Sequence, residues 1–183
     1  MNQNTEQLFK IHKVGNNKLR EMFLRPNDLS GIDLIEADLE EANLIGANLT
    51  GANLTKAYLY KANLGNTNLK KAILTKADLW FADLGQANLE EADLEAANLK
   101  KAYLWRANLS LTNLKQVYFQ DTNLVQANLW QANLKNADLR GANLTGANLK
   151  AARIDRAKYN RKTQFPEDFD PIALGMILYS DKS

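Results

Sequence analysis

Few side chains in this 183-residue chain could do chemistry. Two adjacent carboxylate pairs, Glu40-Glu41 and Glu90-Glu91, are the residue types of acid–base catalysis, which needs two carboxyls converging across a cleft. The only histidine is His12, so residues 27–161 can assemble no His-based triad, metal cluster or proton shuttle. Cysteine is absent, which excludes disulfides, thiolate nucleophiles and Cys-based zinc or iron–sulfur sites. Asp38, Asp78 and Asp138 fall in one twenty-residue register, but Tyr58, Asn98 and Tyr118 interrupt it, so no metal site is read there. These residues lead to the expectation of no catalytic residue, no metal and no cofactor.

The spacing of the apolar residues explains why the carboxylates do not converge. From Leu29 a leucine recurs every fifth residue through Leu149, broken only by Phe119, and Ile154 and Tyr159 extend the register. Two residues before each leucine stands a small residue, usually alanine, and Asn or Asp most often lies between them. The unit is A-(N/D)-L-x-x, in 27 copies from Asn27 to Arg161.

A period of five suits neither regular element. Five steps of about 100° carry successive leucines around a helix, leaving no apolar stripe. In a straight strand, an odd spacing places alternate leucines on opposite faces. Burial is consistent only if each repeat is a short extended segment plus a corner. Alanine and leucine then point inward, the Asn or Asp points outward, and the x-x pair turns the chain. Gly31, Gly46, Gly51, Gly141 and Gly146 fall at the second corner position, where permissive backbone angles are useful. A chain that turns repeatedly in one sense coils, and stacked coils pair their backbones at about 4.8 Å. Corner carboxylates on such a convex rod diverge.

The consecutive A-(D/N)-L-x-x units resemble those of pentapeptide-repeat proteins over about three quarters of the chain. The segment Phe165 to Pro171 is similar to termini of members from photosynthetic bacteria. The resemblance implies an all-β fold, a right-handed quadrilateral parallel β-helix with four pentapeptides per coil. On that geometry Lys70-Lys71 lies beneath Glu90-Glu91, and Glu41 beneath Lys61, as cross-coil charge ladders. Phe119 is expected to swell the core locally or mark a bulge.

Open coil ends need caps. Leu8, Ile11, Leu19, Met22 and Phe23 recur at helical spacing before Arg25-Pro26, predicting a helical N-terminal cap over 1–26. The solenoid is expected over 27–161. Asp170-Pro171, followed by Ile172, Met176 and Tyr179, predicts a short helix in a C-terminal cap over 162–183. Residues 27–54 carry six acids and no base, whereas 135–162 carry eight bases and two acids. Each terminal segment has the charge opposite to its coil end, which favours internal neutralisation over head-to-tail assembly.

One outward column differs from the rest: Tyr58 and Tyr60, then Trp80 and Phe81, then Lys100 and Lys101, with Lys61 alongside. Exposed aromatics and lysines together read as binding anchors, with a cation–π contact expected from a lysine over Trp80, and equally as an aromatic ladder that stabilises neighbouring coils without a partner. Trp105 and Trp130 follow at intervals of one coil plus one side, so the tryptophans spiral around the rod. The net charge of +2 gives no general pull toward nucleic acid or membrane. Neither a secretory leader nor a membrane span is read, so a cytoplasmic location is expected.

The functional expectation is a non-catalytic protein-interaction or scaffold module, with monomer and dimer both open. The alternative implied by the resemblance is a DNA-mimicking modulator of DNA gyrase. Mimicry needs a strongly acidic surface, and residues 27–161 carry 15 acids against 16 bases.

Overall fold

The computed structural model describes residues 28–180. Each repeat contributes one bridged residue, paired in parallel with the residue twenty positions on: Asp28 with Asn48, Asp33 with Asn53, and so on to Asp138 with Lys158. A coil therefore has twenty residues and four sides. Backbone bonds join coils on both flanks of each bridge, as where Leu34 N donates to Asn53 O at 2.7 Å and Asn53 N donates to Ile32 O at 2.8 Å.

The corner is a turn closed by the Ala37 N–H donating to the Leu34 carbonyl at 3.1 Å. The residue before Ala37, Glu36, has φ of 55°, and this geometry recurs at nearly every corner, as at Glu41, Phe81 and Lys101. Positive φ at the third residue alone is the signature of a type II turn, which favours glycine. Non-glycine residues there cost roughly 1–2 kcal/mol each. The fully buried leucine of each repeat contributes about 1.5–3 kcal/mol, and the strained residue's N–H is itself bonded to the next coil, as Glu36 N to Thr55 O at 2.9 Å. Burial and pairing outweigh the strain.

The Asn or Asp of each repeat is a corner device as well as an outward polar residue. Its Oδ1 accepts the N–H two residues on, as Asn43 does from Ile45 at 3.3 Å and Asp83 from Gly85 at 2.9 Å. On one side the amides also bond between coils: Asn88, Asn108, Asn128 and Asn148 each donate through Nδ2 to the Oδ1 twenty residues earlier, at 2.9–3.3 Å.

Threonines replacing alanine remain satisfied in the core. The hydroxyls of Thr67, Thr112 and Thr122 donate to the carbonyls of Leu44, Leu89 and Leu99 at 2.9, 3.0 and 2.6 Å. Phe119 is fully buried, and the twenty-residue register runs through it without a bulge. The corners open slightly instead, at the positions where Thr and Val replace alanine: the bonds at Thr112, Val117 and Thr122 measure 3.4, 3.3 and 3.2 Å, against about 3.0 Å in neighbouring coils.

The C-terminal end departs from expectation. The chain takes one extra residue after Asn160, pairing Asn143 with Gln164, and Thr163 donates to Leu139 O at 3.0 Å. Phe165 packs edge-on to Tyr159 and stacks on Phe169 at 4.9 Å, covering the last coil. The helix expected from Asp170 does not form; among the described residues there is no helix. Asp170 does cap, accepting from Ile172 and Ala173 N–H groups. One turn later Gly175, at φ of 71°, ends it with the paired bonds Gly175 N to Ile172 O and Met176 N to Pro171 O, the Schellman pattern of helix termination. Start and stop signals stand too close for a helix. The expected apolar face separates accordingly, with Met176 buried and Ile172 exposed. The chain then adds strand β2, Ile177–Leu178, in parallel to β1, Lys158–Tyr159. The helical cap expected over 1–26, and His12 with it, lie outside the described residues.

Candidate functional site

The coil places side chains at the two corner positions in columns separated by one strand spacing. On the corner that begins at Glu40, successive coils present Glu40-Glu41, Tyr60-Lys61, Trp80-Phe81 and Lys100-Lys101. The aromatic rings of this column form one cluster. Tyr60 lies 5.5 Å from Trp80 and 6.3 Å from Phe81, centroid to centroid, and Trp80 lies 5.3 Å from Phe81. Trp80 is 40% exposed in spite of these contacts. Tyr58 stands on the flat side before the corner, bridged between Asp38 and Asp78, and is 52% exposed.

Cations frame the cluster. Lys61 Nζ is 5.1 Å from the Tyr60 ring centroid and 3.4 Å from Glu41 Oε1, and its hydrogen bond to Glu41 leads the effects that raise its pKa. Lys101 Nζ lies 5.4 Å from the Phe81 centroid, and Lys100 Nζ 5.3 Å from that of Tyr118. The lysine expected over Trp80 is thus over its neighbours instead: Trp80 leans toward Tyr60, while Lys100 crosses to the strand position of the next coil. All six residues of the expected column lie on this corner or the side that leads to it.

The cross-coil ion pairs are formed as the twenty-residue register requires. Lys70 bridges Glu90 at 3.1 Å and Lys71 bridges Glu91 at 3.5 Å. Lys56 pairs with Glu36 at 2.9 Å and Lys135 with Asp155 at 3.3 Å, two rungs the same register could have given. Glu41, Glu90 and Glu91 are therefore paired with lysines of neighbouring coils. Among the described residues no three His, Cys, Asp or Glu side chains are grouped so as to hold a metal ion. Nor, among them, is there a helix long and apolar enough to cross a membrane.

Asp138 is the carboxylate with the most enclosed setting. Burial would raise its pKa, but hydrogen bonds from Arg140, at 2.8 Å to Oδ1 and 2.6 Å to Oδ2, and from Gln120 at 2.6 Å hold it below the usual carboxylate range. Arg140 also lies 5.4 Å from the Tyr179 ring, so this network ties the last coils to the C-terminal segment.

A family model described as pentapeptide repeats matches this chain in overlapping segments from residue 28 to 158. Proteins of that kind form right-handed quadrilateral β-helices, the coil described above. Among solved structures, the chain is similar to alr5209, a pentapeptide repeat protein from Nostoc Pcc 7120, at 40% identity with a TM-score of 0.55. That alignment covers 56% of this chain and 84% of the other. It is also similar in fold to a trypsin-treated form of QnrB1, a plasmid-mediated fluoroquinolone resistance protein, at 19% identity with a TM-score of 0.62, over 88% of this chain and 84% of that one. No curated protein is significantly similar to the chain.

Proposed function

Because the chain belongs to the pentapeptide-repeat family, we propose that it is a non-catalytic interaction or scaffold module that binds protein through the Tyr60–Trp80–Phe81 corner, with Tyr58, Lys100 and Lys101 as flanking contacts. One observation carries this: three mutually packed rings, Trp80 exposed and Tyr60 and Phe81 half-buried, share one corner of a rod on which Lys70 and Lys71 pair with Glu90 and Glu91 between coils. Rings that are already packed together lose little freedom on binding, and desolvating them at a partner contributes most of the affinity of a typical hot spot. Lys100 and Lys101 extend the patch with charge that steers an acidic partner surface. Outside such a patch the solenoid is a spacer whose sides are fixed by its own repeat.

A gyrase-directed DNA mimic has the fold of QnrB1 in its favour, which at 19% identity supports the fold alone. The 16 bases against 15 acids over 27–161 deprive the rod of the phosphate-like surface that mimicry requires.

The test is capture of partners from native lysate by wild-type protein and by Trp80→Ala/Lys100→Ala, with circular dichroism to establish that both are folded. Binding held by wild type and lost in the folded variant is the expected outcome. Identical capture by both would remove this corner from the interaction.

A further inference from the structure

We infer that the aromatic corner docks on a second copy of this chain, antiparallel, about a two-fold axis perpendicular to the rod between the Tyr60 and Trp80 coils. This deepens the proposed function and rests on it, since the same corner is the contact.

The column is self-complementary when inverted. Read along the rod it is acidic, aromatic, aromatic, basic: Glu40-Glu41, Tyr60-Lys61, Trp80-Phe81, Lys100-Lys101. A two-fold contact pairs residue i with j and j with i. With the axis midway, Glu41 meets Lys101 of the second copy and Tyr60 meets its Trp80, each pairing occurring twice. On the adjoining side, Tyr58 meets Asp78 of the second copy, phenol against carboxylate. A parallel arrangement would oppose Glu40-Glu41 to the same acids, and like charges directly opposite are destabilising. Sliding the antiparallel arrangement by one coil in one direction brings Glu41 against Asp121 and Lys61 against Lys101; in the other it sets Glu40-Glu41 against Trp80-Phe81 and Lys61 against its own copy. Of these arrangements only the midway register sets both acids against both lysines, with Lys61 facing the Phe81 ring of the second copy.

The groups involved are accessible. Glu41 and Lys61 side chains are each 51% exposed, and their 3.4 Å contact exchanges readily for an intermolecular one. Four coils at about 4.8 Å make a stretch of roughly 15–20 Å, and a strip of that length along one corner falls short of the ~800 Å² per partner of a standard interface. Association is therefore weak, concentration-dependent and screened by salt.

Sedimentation velocity at low salt, over a wide range of protein concentration, tests this with Glu41→Lys, Lys101→Glu and the double swap. Both sites sit at corners of the same positive φ, 57° and 55°, where glutamate and lysine each occur naturally along the chain, so all three variants keep the fold, as circular dichroism will verify. Wild type is expected to dimerise, each single reversal to weaken the dimer by roughly tenfold or more, and the double swap to restore it. Wild type that stays monomeric throughout overturns self-docking. So does a dimer indifferent to both single reversals but lost in Leu178→Asp, which would place the contact at the exposed C-terminal strand. Should wild type be monomeric while the Trp80→Ala/Lys100→Ala variant still loses a foreign partner, self-docking fails and the interaction module stands.

Discussion

The indole of Trp105 occupies the space beside Gly85, one coil earlier in the same column, that a Cβ would take. A Cβ built on Gly85 would approach Nε1 to 2.3 Å and Cε2 to 2.9 Å. Gly85 sits at the first corner position, where glycine is needed for room and not for its backbone angles. Gly85→Ala is expected to push the indole outward, giving red-shifted, more readily quenched tryptophan fluorescence and a stability loss of about 1–3 kcal/mol. Gly65→Ala, whose nearest contact is 3.4 Å, is the tolerated control.

Corner strain yields an inverted glycine scale. Ala96 holds φ at 57°, so Ala96→Gly relieves strain and is expected to raise stability by about 0.5–1 kcal/mol, after the entropic cost of glycine. Gly51 has φ of 66° and open space around its Cα; Gly51→Ala is expected to cost about 1 kcal/mol through strain alone. Urea denaturation of the two variants checks both signs.

The corners around Phe119 are slightly open beside the larger side chain. Phe119→Leu restores the repeat's usual residue yet is expected to destabilise by about 1–2 kcal/mol, because the lengthened corners at Thr112, Val117 and Thr122 cannot fully close on the vacated space. A gain in stability would mean that the opening is strain and not fit.

Asp138 gives the fold an acid limb. Its folded pKa is depressed, so its contribution is present above the unfolded value and lost as pH falls through the folded one. Asp138→Asn is expected to cost about 1 kcal/mol near neutrality, discounted because its partner Arg140 is partly exposed, with the difference from wild type shrinking only below about pH 4 and vanishing below the depressed folded value. Denaturation series at several pH values follow that convergence; parallel curves down to low pH would contradict it.

The coil was legible in the sequence because each leucine and alanine repeats one demand, burial at a fixed interval, which neither a helix nor a straight strand meets; its four sides, and the charge rungs Lys70–Glu90 and Lys61–Glu41 that depend on them, came from the family resemblance and not from the spacing. The C-terminal structure was not legible, since Asp170 as a helix start is a local signal and Gly175 silences it only five residues later. The orientation of Lys100 and Lys101 was equally hidden: column membership places a lysine near several rings, and side-chain packing decides which one it covers. The Gly85–Trp105 fit could have been found by noting that Gly85 occupies the corner position that needs no positive φ and precedes a tryptophan by one coil.

The Trp80 corner stands or falls as a contact surface occupied by a second copy of the chain. It is tested most directly by the fluorescence of Trp80 in a chain carrying Trp105→Phe and Trp130→Phe, quenched by acrylamide across protein concentrations. Progressive shielding of Trp80 as concentration rises, abolished by Lys101→Glu, is the result expected. Quenching that is equally efficient at every concentration would contradict the claim.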